Sequence, residues 1–385
     1  MTGDDLRLLR RTAREALAQL SSTGQVRRQL ADGWDPVLWR RLCGELGVTG
    51  LAVPEEYGGA GLSAVEQGLV FEEAGRRMLC GPLLATAGLA IPLLLLADDD
   101  DARRDHLPDL CAGRRTATVV TSDATGRPIL TGRPVEAVAV DGGYALDGEA
   151  GHVLDGARAD LVLTPARLDG QIALFAVPAG QAGLVAEPLV SLDLTRRQAR
   201  LTFTRARATR LAAHRPASVL EDAFDIGRAM LACEQAGGAA QCLDDLVGHA
   251  RTRVQFGRAI GSFQAIKQKA ADLLISVESA NSAALAAAHT AAGFLSARGV
   301  SGPPPEAGAL PDVPPLPVTA ALAQVCCSDA FAVAAAENIQ VHGGIGFTWE
   351  HDAHLYLKRA WTSRELLGRP EEHLETLATH LAASP

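Results

Sequence analysis

The chain is short of positive charge. It carries 36 Lys and Arg against 45 Asp and Glu, for a net charge of −9. No basic stripe offsets that deficit, so no nucleic-acid partner is expected. The paired arginines Arg103-Arg104, Arg114-Arg115 and Arg196-Arg197 are scattered along the chain and read as solvated faces. CxxC spacing is absent, and the 7 cysteines (Cys43, Cys80, Cys111, Cys233, Cys242, Cys326 and Cys327) are odd in number. A disulfide scaffold is not expected in so long a chain; buried reduced thiols in a cytoplasmic protein are. Metal-ligand spacing is missing too. His351 and His354, beside Glu350 and Asp352, suit a solvated helix face rather than a metal site. The N-terminal stretch has no apolar core of the kind that marks a secretory signal. The run Ile91 to Ala97 is too short to cross a bilayer, so no membrane partner is expected. No internal repeat is present.

What is present suits a soluble globular protein. Of 385 residues 48% are apolar and 21% charged, and the length calls for two or three domains. Helical spacing runs from Asp4 to Leu20 and from Trp34 to Leu46, where Asp35 suits an N-cap and Pro36 the first helical position. Glycine and proline break the chain from Val53 to Gly61. Helices then follow over Glu66–Gly75 and Leu83–Ala97. From about Arg115 short β-rich runs alternate with Gly, Pro and Asp, and Asp141-Gly142-Gly143 has the composition of a hairpin turn. Past Ala217 helical spacing returns over Leu220–Arg253, Phe263–Arg298, Leu322–Val341 and Leu355–Leu367. The expected domains are a helical one (residues 1–112), a β-domain (113–216) and a helical bundle (217–385), with a proline-rich exposed loop at 299–317.

Two segments carry the chemistry. In Arg253-Val254-Gln255-Phe256-Gly257, followed by Ile260-Gly261-Ser262-Phe263-Gln264, an arginine stands beside a glycine-containing loop and a helix start. Guanidinium forks and free helix-start N–H groups both suit a phosphate; a capped helical hairpin with a solvated arginine has the same spacing. Near the C-terminus, Gln340 precedes His342-Gly343-Gly344-Ile345-Gly346. Glycines this dense let backbone approach another molecule, though one alone would be a helix stop. Phe347 and Trp349 read as packing residues.

These two segments, with Leu51–Ser63 (LAVPEEYGGAGLS) in the right order before them, resemble the signatures of the acyl-CoA dehydrogenase family. The resemblance implies an α+β fold: an N-terminal helical domain, a middle β-domain and a C-terminal four-helix bundle. It implies an oxidoreductase that removes an α-proton and a β-hydride from an acyl thioester, carried by coenzyme A or an acyl-carrier protein. FAD would be the cofactor, an electron-transfer acceptor would reoxidise it, and the setting would be fatty-acid or secondary metabolism. By the resemblance Arg253, Gln255, Phe256, Gln264, Gln340, Gly343 and Gly344 would hold FAD, often that of a neighbouring subunit, with Thr121 contributing from the β-domain.

The pattern is not complete. The two positions that carry the catalytic glutamate in similar proteins are here Leu367, before Gly368, and Gly227, before Arg228. Neither can take a proton. Glu234, two helical turns beyond Gly227 among small apolar residues, is the candidate base: burial would raise its pKa toward the working range. Its alternative is a structural glutamate paired with Arg228 or with a partner chain. The β-domain departs as well. Thr121-Ser122-Asp123-Ala124-Thr125-Gly126 stands where similar proteins have a flavin-contacting loop, and His152 and Leu154 stand near the usual aromatic and hydroxyl. Three readings follow. The chain forms a dehydrogenase as a homodimer or tetramer; or it is a half-site subunit lending FAD contacts to a paralogous partner; or the same scaffold runs altered chemistry.

Overall fold

The computed structural model describes residues 3–305 and 314–383. Six helices open the chain: α1 (Gly3–Leu20), α2 (Thr23–Asp32), α3 (Pro36–Leu46), α4 (Ala64–Arg76), α5 (Ile91–Leu96) and α6 (Asp100–Cys111). Local chemistry sets their ends. Asp35 caps α3 by accepting from Val37 N and Leu38 N, with Pro36 at the first position. At α4, Ser63 and Glu66 form a capping box. A wide π-helical turn, Leu84–Ala90, leads into α5, and every residue of both is buried. Spacing does not announce α6, half of whose residues are charged; Asp99 starts it by accepting from Ala102 N.

The middle of the chain is a sheet of β1 (Ala117–Val119), β2 (Val135–Val140), β3 (Gly143–Leu154), β4 (Leu161–Leu168), β5 (Gln171–Pro178), β6 (Leu184–Pro188) and β7 (Gln198–Leu211). β2, β3, β7, β5 and β4 pair in a closed ring, while β1 lies against β4 and β6 against β7. Closure removes edges that would otherwise template aggregation. Asp141–Gly143 turns β2 into β3 as its composition predicts.

The C-terminal part is built on α7 (Pro216–Thr252), α8 (Gln264–Ala297) and α9 (Leu316–His342), with α10 (Ala353–Arg364) and α11 (Pro370–Ala383) against them. A two-stranded hairpin, β8 (Val254–Gln255) and β9 (Arg258–Ala259), joins α7 to α8. Residues 306–313 of the proline-rich segment lie outside the described residues, and α9 already begins at Leu316. With the turn after it, α9 is long and apolar enough to cross a membrane, yet 61% of its apolar 18-residue window is buried in the bundle. It is a core helix.

Helix α4 packs on α7 at glycine contacts from both sides. A Cβ on Gly75 would lie 1.9 Å from Glu234 O, and one on Gly237 would lie 1.8 Å from Glu72 O. Only hydrogen fits there. The N-terminal helices are fastened to the sheet by arginine: Arg158 donates to Trp34 O and Asp32 O, and Arg197 to the last carbonyls of α2. These guanidiniums satisfy carbonyls at the C-terminus of α2 beyond Gln29 O, which accepts from Gly33 N.

Candidate active site

The two positions where a base is expected meet in space. Gly227 is buried on α7, and Leu367 follows α10 in a left-handed turn at φ 59°. A Cβ on Gly227 would lie 3.3 Å from Leu367 Cδ1, 3.2 Å from Gly88 O and 2.4 Å from Leu89 Cδ2. The corner therefore exists, but aliphatic carbon fills it. Beside it Arg228 donates to Leu367 O at 2.8 Å and pairs with Asp225 at 2.5 Å. Arg228 is thus committed to Asp225 and Leu367, and it is not the partner of Glu234.

Glu234 is 4% exposed, and its surroundings correct the expectation of a raised pKa. Burial pushes its carboxyl up, but the guanidiniums of Arg196 and Arg359 outweigh that and hold it below the usual range. Arg359 donates to Glu234 Oε1 from Nε at 3.0 Å and Nη2 at 2.8 Å; Arg196 donates to the same oxygen. Arg359 also reaches Thr195 O and Oγ1 in the β-region and Leu79 O beyond α4. One side chain thereby ties together the three parts of the chain. The cavity beside Glu234 has a volume of about 10 Å³, the space of a single water, so no thioester reaches the carboxylate. A carboxylate held ionised, doubly paired and walled in is a structural anion. Asp155, on the same cavity, is pushed up to about 6 by burial against the pull of Arg196 and Arg359.

Sequence reasoning missed both arginines. Arg196 belongs to a pair that reads as solvated, yet it is buried, as is Arg359. The only signal was indirect: a lone glutamate in an apolar helix face needs a buried cation.

The other candidates lie on the open face of the bundle. Arg253 ends α7, and Gln255, Phe256 and Gln264 are all exposed around the β8–β9 hairpin. Phe256 is 90% exposed at φ 51°, and Gly257 follows at φ 76°. No side chain caps the start of α8, so its first N–H groups are open to an acceptor. Exposed Gln340 sits in the last turn of α9. Added Cβ atoms on Gly343 and Gly344 would meet nothing within 4 Å, whereas Gly346 packs on Ile339 O.

Three stacked imidazoles join these two segments. His249 lies 4.1 Å from His342 between ring centroids, and His342 lies 4.3 Å from His351. Burial, then the neighbouring His342, lowers the pKa of both His249 and His351. His351 and His354 are therefore packed against rings, not spread on a solvated face. Phe347 and Trp349 correct the sequence reading in the opposite sense: they are 74% and 59% exposed.

The β-region offers less. Thr121 accepts from Ile129 N through its carbonyl, and the loop after it is satisfied internally. Asp123 accepts from Thr125, Arg127 and Arg133; burial pushes its carboxyl up, but these hydrogen bonds hold it at about 2. His152 is exposed in a bulge at φ 53° and contacts Gln198, while Leu154 is buried. The hairpin and the glycine turn thus fit the dinucleotide implied by the resemblance: side-chain donors without partners among the described residues, an uncapped helix start and open backbone. The Thr121 loop adds nothing comparable.

Comparison with known proteins agrees with this architecture. Residues 3–114 match the acyl-CoA dehydrogenase N-terminal domain and residues 217–382 the acyl-CoA dehydrogenase C-terminal domain. The chain is 34% identical to acyl-CoA dehydrogenase IpdE2 of Mycobacterium tuberculosis over 99% of both chains. It is 36% identical to acyl-CoA dehydrogenase FadE34 of the same organism, over 92% of this chain and 44% of that one. Among solved structures it superposes on the ChsE4-ChsE5 complex from Mycobacterium tuberculosis with a TM-score of 0.84 at 25% identity, covering 100% of this chain and 99% of that one. Butyryl-CoA dehydrogenase from Megasphaera elsdenii shares the fold, with a TM-score of 0.86 at 22% identity over 99% of each chain.

Proposed function

The chain belongs to the acyl-CoA dehydrogenase family, FAD-dependent oxidoreductases acting on CH–CH groups, and from that premise we propose that it works as the base-lacking subunit of a hetero-oligomeric member. One observation carries this reading: Gly227 and Leu367 share a single corner, and Leu89 packs it with aliphatic carbon. A general base must lie within hydrogen-bond reach of the proton it takes. Neither position offers a carboxylate, and Glu234 is ionised, doubly paired and enclosed. The proton-accepting carboxylate would then come from a second, paralogous chain. The likeness to the ChsE4-ChsE5 complex supports such pairing.

In this reading the chain's own residues bind and orient. FAD supplies hydride acceptance when bound. Arg253 and the open N–H groups of α8 would neutralise its diphosphate, and Gln255, Gln264, Gln340 and the backbone of Gly343 and Gly344 would hold its remainder, with exposed Phe256 covering it. Because these groups point outward from the bundle, the cofactor would lie between this chain and its partner. An acyl thioester would be the substrate of the assembly. The unpaired buried thiols support a cytoplasmic setting.

Affinity purification from the native host tests the reading. A second acyl-CoA dehydrogenase chain should co-purify in stoichiometric amount with flavin, and the assembly should dehydrogenate an acyl-CoA with an artificial electron acceptor. A homo-oligomer of this chain that turns over acyl-CoA unaided would overturn it.

A further inference from the structure

We propose that the cleft where α2 and α3 meet the β-region binds an organic phosphate of nucleotide size. The cleft has a volume of about 780 Å³, within the range of small-ligand sites. It lies away from both the Gly227–Leu367 corner and the hairpin face, and none of the residues considered above for FAD lines it.

Its electrostatics are unusual for this chain. Arg28, Arg40, Arg114 and Arg158 all line it, although the net charge of the protein is −9. Arg28 and Arg40 have no carboxylate partner among the described residues, whereas guanidiniums elsewhere are widely paired. The cleft's own acids are largely spent on other donors. Asp35 caps α3, and Asp160 accepts from Thr116 N and Oγ1; Asp32 alone of the three has no partner for its carboxylate among the described residues. Two unpaired guanidinium forks on one cleft are suited to a phosphate, which accepts bidentate hydrogen bonds.

The wall is also built rather than loose. Arg158 crosses from the β-region, donates to Trp34 O at 2.7 Å and Asp32 O at 2.5 Å, and lies over the Trp34 ring. Gly33 lets it do so: at φ +80° a Cβ there would lie 2.9 Å from Arg158 Cζ. Behind this bridge Trp34 and Trp39 are nearly buried, with ring centroids 6.2 Å apart. The indole N–H of each, and Gln29 Oε1, have no hydrogen-bond partner among the described residues. Buried polar atoms without partners are uncommon, and two donors and one acceptor in the residues of one wall leave hydrogen-bonding capacity beside the cleft. A nucleotide would place its phosphates toward Arg28 and Arg40 and its ring toward the indole wall, bridging the N-terminal helices to the sheet.

The test uses full-length, FAD-loaded protein labelled with 5-fluorotryptophan and titrated with ADP, coenzyme A and inorganic pyrophosphate. The expected result is saturable ADP binding that moves the 19F resonances of Trp34 and Trp39 and leaves Trp349 and Trp361 in place. An Arg28→Ala/Arg40→Ala variant should weaken that binding at least about tenfold, with an unchanged melting temperature because both side chains are exposed. Coenzyme A matching ADP would assign the site to the carrier's nucleotide; ADP binding alone would assign it to a free nucleotide. Shifts confined to Trp349 and Trp361, affinity unchanged in the double variant, or no saturable binding by any of the three probes would each overturn the proposal.

Discussion

Arg359 grips Glu234 with two of its nitrogens, at 3.0 and 2.8 Å, while its third crosses to Thr195 in the β-region. Both partners are almost completely buried, as is Arg196 on the other side of the carboxylate. Removing one member of such a group leaves uncompensated charge in a low dielectric, at a cost of about 3–5 kcal/mol. Glu234→Gln keeps the shape and deletes the charge. It should therefore lower the unfolding free energy by about 3 kcal/mol in urea titrations, with the loss shared by all three parts of the chain. A variant as stable as the native protein, yet devoid of α-proton exchange in the assembly, would restore Glu234 as the base.

Most of the architecture is legible in the sequence because it is written locally. Asp35-Pro36 starts α3, Asp141-Gly142-Gly143 turns a hairpin, and the long alanine-rich stretches are helices whose period shows without any partner. What is illegible depends on distant residues. Nothing near Arg196 says that it meets Glu234, and nothing near His249 says that it stacks on His342. The pKa of Glu234 is wrong in direction when argued from burial alone, because its sign is set by two guanidiniums from elsewhere in the chain. The empty base positions were visible as residue types; that they share one filled corner is a fact of tertiary structure.

The crossing of α4 and α7 predicts a steric phenotype. A methyl group on Gly237 would fall 1.8 Å from a backbone carbonyl oxygen, Glu72 O, which no rotamer change can relieve. Gly237→Ala must push the helices apart, and overpacking of this kind costs about 1–3 kcal/mol or more. Because Glu72 and Glu73 accept the arginines of α1, the displacement should also free α1. Hydrogen exchange should show α1 deprotected ahead of α9; uniform protection would mean that the helices tolerate the methyl.

His373 predicts a pH dependence. Burial, then the nearby Arg228, holds its imidazole down from 6.5 to about 4. The unfolded chain binds the proton first as pH falls. The native state therefore has its full stability from this group above about pH 6.5 and loses it progressively toward pH 4. At pH 5 the loss is about 2 kcal/mol, from 1.36 kcal/mol per unit. His373→Gln cannot titrate, so its unfolding free energy should fall less than the native protein's between pH 7 and pH 5. Groups that titrate alike in both proteins, including Asp155 with its opposite sign, cancel in the comparison. Parallel curves for the two proteins would show that His373 is protonated normally.

Arg253 separates a ligand-facing group from a structural one. It is exposed and has no carboxylate partner among the described residues, so Arg253→Ala should leave the unfolding free energy of the chain within about 0.5 kcal/mol. If its guanidinium neutralises a diphosphate, the same change should weaken FAD binding by about tenfold, since a hydrogen bond to a charged group contributes about 1.5–3 kcal/mol. Arg253→Lys should recover only part of the loss, because an ammonium keeps the charge but not the fork. The flavin-to-protein absorbance ratio after gel filtration measures this directly, and raising the salt concentration should narrow the difference between the native and alanine forms. An alanine variant that keeps its flavin in full at every salt concentration would place the phosphate contact elsewhere and leave Arg253 as an ordinary solvated end to α7.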